Sequence, residues 1–199
     1  MCERDRGEVQ AGRGISFEVK KGEVLGIVGE SGSGKSVTSL SILQVLPENG
    51  FHKGGSIAFE GQELLTMPKK AFRAIRGAKI SMIFQDPMTS LNPLMTVGKQ
   101  VRESLLTHTG MSKEAAKQEA IRLLELVRIP DAKNRYKAYP HELSGGMRQR
   151  AMIAIALSCK PDLVIADEPT TALDVTIQDQ ILELLKDMQK QLDLSVIFI

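Results

Sequence analysis

Cysteine is scarce in this chain. Its two copies, Cys2 and Cys159, lie far apart and make neither a metal-ligand motif nor a disulfide framework, so they read as free thiols of a reducing cytosol. Charge of either sign is in little excess: 26 Lys and Arg against 24 Asp and Glu leave a net +2. That is too small to argue for nucleic acid, and there is no basic block or basic stripe with interleaved aromatics. Long apolar runs are missing too. The longest, Ala151 to Leu157, falls well short of the roughly 20 residues that span a bilayer. The opening Met1-Cys2-Glu3-Arg4-Asp5-Arg6 is charged and lacks the apolar centre of a signal peptide. No internal repeat or low-complexity segment is found. What remains is 199 residues, 42% hydrophobic and 25% charged, the composition of an ordinary soluble globular protein with one large domain or two small ones.

Against these absences stands one dense stretch, Gly29-Glu30-Ser31-Gly32-Ser33-Gly34-Lys35-Ser36. It fits G-x-x-x-x-G-K-[ST], the phosphate-cradling P-loop. Before it, Val24-Leu25-Gly26-Ile27-Val28 is a short apolar run suited to a buried parallel strand; after it, Lys35 to Leu46 reads as a helix. Strand, glycine turn and helix in that order aim backbone N–H groups at a phosphate, backed by the positive end of the helix dipole. The glycines let the backbone turn and approach the anion where a side chain would forbid it. Lys35 is then placed to reach the β- and γ-phosphates, and the Ser36 hydroxyl to ligate Mg²⁺. A glycine-rich turn with an incidental lysine is the plainer alternative, and the flanking strand and helix weigh against it.

The rest of the chain alternates strands with helices. Ile15 to Val19 alternates apolar and polar residues as a half-buried strand does, following a charged start, through Gly12, that reads as frayed. Pro47 to Gly50 and Gly54-Gly55 mark a loop, and Ser56 to Glu60 reads as a second alternating strand in an antiparallel piece. Pro68 to Ile75 suggests a short helix with proline at its start. Lys79 to Phe84 reads as a strand ending in a polar loop, Gln85 to Pro93. From about Val97 to Leu157 the pattern is helical, with Ser112 as an N-cap, Ala116, Ala120, Leu123, Leu124 and Val127 on one face, and Ser144 opening a further helix. Leu163 to Ala166 is again a buried strand, Thr176 to Leu192 an amphipathic helix, and Ser195 to Ile199 a strand. The expected fold is a parallel-sheet α/β core with a small antiparallel β piece and a helical subdomain inserted at about 94–158 of a single domain, 1–199.

Two further stretches carry chemistry. The strand Leu163-Val164-Ile165-Ala166 ends in Asp167-Glu168, which delivers two carboxylates to the carboxyl edge of the sheet. Beside a P-loop, Asp167 is placed to hold Mg²⁺ and Glu168 to orient or deprotonate an attacking water. Leu143-Ser144-Gly145-Gly146-Met147-Arg148-Gln149-Arg150 puts a serine and two glycines at a helix start, a second anion-reading end in the same chain. One P-loop already cradles one nucleotide, so a second such end implies a nucleotide held between two copies.

This stretch resembles the signature motif of ATP-binding-cassette (ABC) ATPases, which are P-loop NTPases of RecA-like core. In that family the signature of one subunit closes over the γ-phosphate held by the P-loop of the other. Gln85 resembles the Q-loop glutamine, which senses Mg²⁺ and water and faces a membrane subunit, and Ala172-Leu173-Asp174 resembles the D-loop that communicates across the dimer. The resemblance covers essentially Gly14 to Ile199. Phe84 to Pro93, Tyr139-Pro140-His141-Glu142 and Ala166 to Thr176 narrow it to ATPase subunits of bacterial dipeptide and oligopeptide importers, a subfamily shared with nickel-type importers. Gly146 to Arg150 and Pro169-Thr170-Thr171 are more similar to the D-type than to the F-type subunit of such importers.

The resemblance implies an ATP hydrolase that uses ATP and Mg²⁺. Its partners would be a second, homologous ATPase subunit, transmembrane permease subunits and, indirectly, a peptide-binding protein, with no nucleic acid; its place would be peripheral, on the cytoplasmic face of the bacterial membrane. Gly29, Ser31, Gly32, Ser33, Gly34, Lys35 and Ser36 would bind phosphate. Ser36, Gln85 and Asp167 would arrange the metal, and Glu168 would be the base. Ser144, Gly145, Gly146 and Asp174 would act across the dimer. His141, beside Pro140, reads as structural or helix-capping, and His52 and His108 carry no catalytic signal.

Two parts of the family pattern are not found: an early aromatic that stacks on adenine, worth about 1–3 kcal/mol by analogy with other base–aromatic contacts, and a switch histidine after the last strand. The C-terminal extension typical of the subfamily is absent as well. The chain accordingly reads as incomplete at both ends, and a catalytically inactive nucleotide-binding fragment is the alternative expectation. A cassette ATPase outside transport shares the catalytic motifs but is disfavoured by the Gln85 to Pro93 loop. A P-loop kinase shares only the first motif.

Overall fold

Four short parallel strands form the centre of the molecule, and their order rather than their sequence sets the site. The computed structural model describes residues 12, 14–47, 50–171 and 173–199. The expected frayed start, apart from Gly12, lies outside them, as do Glu48 and Asn49 of the expected loop and Ala172. In chain order the elements begin with β1 (Val24–Gly26), α1 (Lys35–Ile42), β2 (Ala58–Phe59), β3 (Gln62–Glu63), α2 (Lys69–Ile75) and β4 (Ile80–Ile83). There follow α3 (Pro87–Ser90), α4 (Val97–His108), α5 (Lys113–Leu126), α6 (Ala132–Arg135), a 3₁₀ turn (Pro140–Glu142) and α7 (Gly145–Leu157). The chain continues through β5 (Leu163–Ala166), α8 (Val175–Leu192) and β6 (Ser195–Phe198).

The main sheet runs β1-β6-β5-β4, with every neighbouring pair parallel. Ile83 pairs with Ala166, Ala166 with Phe198, and Phe198 with Gly26. This register brings the carboxyl ends of all four strands level, the edge at which open parallel sheets place their ligands. Successive side chains of a strand point to opposite faces. Val164, Ala166 and Val196 accordingly join the core under α4, α5, α7 and α8, while Leu163, Ile165 and Ile197 join a second core with Ile42, Leu43 and Phe72. Covered on both faces, β4 and β5 are buried along their whole length.

The helices follow their expected signals. Ser112 caps α5 by accepting from Ala115 N at 3.2 Å, and Ala116, Ala120, Leu123 and Leu124 form its buried face. α8 buries Ile181, Leu184 and Met188. The antiparallel piece is a β2–β3 hairpin whose two-residue turn, Glu60-Gly61, has φ of 49° and 76°, positive at both positions as a type I′ hairpin turn requires.

Three expectations are corrected. Ile15 to Val19 forms no strand; Ile15 is 60% and Phe17 43% exposed, and among the described residues no strand pairs with it. α1 stops at Ile42, four residues early, where Leu43 and Gln44 turn and Gln44 takes a φ of 51°. Pro47, just beyond, disfavours helical backbone at the residue before it. The Gln85 to Pro93 loop holds a turn of helix, α3, because Asp86 accepts from Met88 N at 2.8 Å and Pro87 occupies the first turn.

Candidate nucleotide site

The first wall of the site is the loop from β1 to α1. Gly34 stands at the N-cap of α1 with φ 93° and no side-chain cap, a backbone state that excludes ordinary side chains. The first N–H groups of α1 are thus not claimed by a capping side chain, as an anion-binding helix start requires. Lys35 arches back over the loop, its Nζ donating to Gly29 O at 2.7 Å and Glu30 O at 2.9 Å. Ser33 N closes the turn onto Glu30 O at 3.2 Å. Beside the loop lies a cleft of about 690 Å³ whose lining includes Gly29, Ser31, Gly32, Gly34, Lys35 and Ser36 from one side and Gln85, Glu168 and Thr171 from the other.

The second wall comes from the level ends of β4 and β5. Ser36 Oγ donates to Asp167 Oδ1 at 3.1 Å, although the two residues start from strands separated by β6. Among the described residues no group of three or more His, Cys, Asp or Glu could hold a metal ion. One hydroxyl beside one carboxylate fits a hard divalent cation that draws its other ligands from phosphate and water. Gln85 Nε2, from the end of β4, donates to Glu168 Oε2 at 2.9 Å, and Thr171 Oγ1 donates to the same oxygen at 3.0 Å. The Glu168 backbone has a φ of 44° and donates its N–H to Ile199 O at 3.1 Å, an unusual conformation for a non-glycine residue, held by its neighbours.

Asp167 is only 5% exposed. Burial pushes its carboxyl above the ordinary range; the Ser36 hydrogen bond opposes this, the Glu168 charge adds to it, and Lys35 opposes it. The folded chain therefore holds this proton more readily than the unfolded chain. Its stabilising contribution is full below the ordinary Asp range and is lost as pH rises through the folded-state value. In the absence of nucleotide, Asp167→Asn should melt at a higher temperature than the parent at pH 7, and the two should converge as the pH is lowered toward 3. A lower melting temperature at pH 7 would contradict this account of the site.

Ser144, Gly145, Gly146 and Asp174 are not among the described residues that line this cleft. Ser144 caps α7 by accepting from Met147 N at 3.3 Å, and Asp174 caps α8 by accepting from Ile177 N at 3.1 Å. A Cβ on Gly146 would stand 2.9 Å from Ile177 Cγ2, so glycine there lets the starts of α7 and α8 approach. His141 is exposed and stacks on Tyr139, ring centroids 5.6 Å apart, while Glu142 Oε2 accepts from Tyr139 N at 2.6 Å. The turn is thus capped by Glu142 rather than by His141. Sequence reasoning missed two links. Arg148 donates from Nε to Pro140 O at 2.6 Å and lies against Met88 Sδ, tying α7 to α3. Thr171 reaches the Glu168 carboxylate, and the only sequence signal was a hydroxyl placed three positions after an acid in a turn.

The family described as ABC transporter matches residues 13–171, a span that holds the P-loop, Gln85, the Ser144 helix start and the Asp167-Glu168 pair. The chain belongs to the ABC transporter family. Among the curated relatives of this ABC protein is the oligopeptide transport ATP-binding protein OppD of Bacillus subtilis, 61% identical over 97% of this chain and 54% of its own length. The dipeptide transport ATP-binding protein DppD of the same organism is 59% identical over 97% and 58%. OppD of Salmonella typhimurium is 53% identical over 97% and 57%. The chain thus spans about half the length of these relatives. Among solved structures, the dimeric ATP-binding cassette MJ0796, in a post-hydrolysis state bound to ADP and Pi, superposes with a TM-score of 0.84 at 28% identity, covering 98% of this chain and 82% of that one. The fold and family implied by the sequence are both borne out. No helix among the described residues is long and apolar enough to cross a membrane.

Proposed function

We propose that the protein is the ATP-binding and ATP-hydrolysing subunit of an importer for di- or oligopeptides. The observation that carries this reading is the convergence of Lys35, Ser36, Gln85, Asp167 and Glu168 at one sheet edge, in a chain 61% identical to an oligopeptide transport ATP-binding protein. The P-loop N–H groups and Lys35 hold the phosphates of ATP, positioning the γ-phosphoryl group. Mg²⁺, when bound, supplies charge neutralisation on the β- and γ-oxygens. Ser36 and Asp167 are placed to hold it, with Gln85 completing the arrangement. Glu168 takes the proton of a water whose oxygen bonds to the γ-phosphorus, while the bond to the β–γ bridging oxygen breaks and ADP leaves with the electron pair.

Ser144 to Gly146 and Asp174 serve the site of a second, homologous ATPase subunit, which accounts for their position away from this chain's own cleft. The segment at about 94–158 acts as a helical subdomain. The assembly includes transmembrane permease subunits and, indirectly, a peptide-binding protein, and the protein is peripheral to the membrane on its cytoplasmic face.

The test is reconstitution of the intact subunit with its permease in proteoliposomes. ATP turnover should rise when a di- or oligopeptide is presented with its binding protein, and chelation of Mg²⁺ should abolish it. Turnover indifferent to every peptide, or a subunit that never co-purifies with a permease, would sink the importer reading.

A further inference from the structure

The Glu168 carboxylate is gripped asymmetrically. Gln85 Nε2 and Thr171 Oγ1 approach from opposite sequence directions, one from the end of β4 and the other from the turn after β5, yet both donate to Oε2, at 2.9 and 3.0 Å. They do not share the two oxygens between them. The turn is closed by Thr171 N donating to Glu168 O at 3.3 Å, which places the threonine hydroxyl under the carboxylate that its own backbone brackets. With the Glu168 N–H bonded to Ile199 O at 3.1 Å, the residue is held at its backbone and at one carboxylate oxygen.

We propose that Thr171 is a positioning residue for hydrolysis: together with Gln85 it fixes Glu168 Oε2, so that Oε1 is the oxygen presented to the attacking water. This rests on the reading of Glu168 as the general base. Two donors on one oxygen restrict rotation of the carboxyl plane, and a proton acceptor has to be held within about 0.5 Å and 10–20° of the productive geometry to act efficiently. The hydroxyl is what matters, so serine should substitute and valine, of similar shape, should not.

The experiment compares Thr171→Val, Thr171→Ser and Glu168→Gln with the parent in the assembled, permease-bound protein. For Thr171→Val the expected result is a fall in kcat of about tenfold with KM for ATP within about twofold of the parent. Thr171→Ser should restore kcat. A residue needed only to shape the turn would lower stability or ATP affinity without this selective loss of kcat. If Glu168→Gln loses turnover while Thr171→Val keeps the parent's kcat, this proposal is overturned and the reading of Glu168 stands. If serine fails to rescue, the hydroxyl is not the operative group and the proposal also falls. If Glu168→Gln retains the parent's turnover, the reading of Glu168 as base fails, and the role of Thr171 fails with it.

Discussion

Replacing Glu168 by glutamine should reduce steady-state ATP turnover about 10²–10⁴-fold, the range that a positioned general base contributes, while ATP still binds. Glutamine keeps the size of the side chain and can still accept hydrogen bonds from Gln85 and Thr171 at its carbonyl oxygen, so the geometry around Oε2 survives. What is lost is an ionised oxygen able to take the water's proton. The phosphate-holding parts, Lys35 and the uncapped start of α1, are on a different wall of the cleft and are unaffected. A nucleotide titration together with single-turnover and steady-state hydrolysis separates the two effects. Undiminished hydrolysis would show that Glu168 is not the base; a parallel loss of ATP affinity would show that it acts on ground-state binding.

Lys35→Ala should weaken ATP binding by at least about 100-fold, equivalent to about 3 kcal/mol, and remove turnover with it. Two effects act together. The ammonium lines the cleft beside the phosphate-cradling loop, and charge-assisted hydrogen bonds to phosphate are the strong ones. Its two bonds to Gly29 O and Glu30 O also hold the loop in its cradle shape, so their loss frees a segment that would then have to be ordered by the nucleotide. Lys35→Arg should rescue poorly, because a planar fork does not replace a compact ammonium bridging two carbonyls. A dissociation constant within a few-fold of the parent in Lys35→Ala would remove this lysine from the phosphate site.

The elements that carry chemistry were legible because each is local. A P-loop is written in eight consecutive residues, a helix start in one capping serine or aspartate, and a buried strand in four apolar residues. Gly34, Lys35, Ser36, Asp167 and Glu168 could therefore be named in advance. The errors came where local pattern lacked a tertiary partner. Ile15 to Val19 alternates as a strand should, but among the described residues no strand pairs with it, and backbone hydrogen bonding across a ladder is what makes an alternating run a strand. α3 was hidden because a four-residue helix has no period to detect, only the Asp86-Pro87 start.

Local sequence could not set distance. Nothing in the chain order predicts that β6, the last strand, inserts between β1 and β5, or that Ile83, Ala166, Phe198 and Gly26 come level across the sheet. That register carries Ser36 to Asp167 and Gln85 to Glu168 within hydrogen-bonding reach, where Thr171, three residues further along the turn, donates to the same carboxylate oxygen. The sequence by itself determined the residue types able to hold phosphate, metal and proton, since those depend on side-chain chemistry and short spacing. Only the tertiary structure decided which of their atoms meet, because parallel pairing joins residues remote in the chain and is settled by burial of both faces of the sheet.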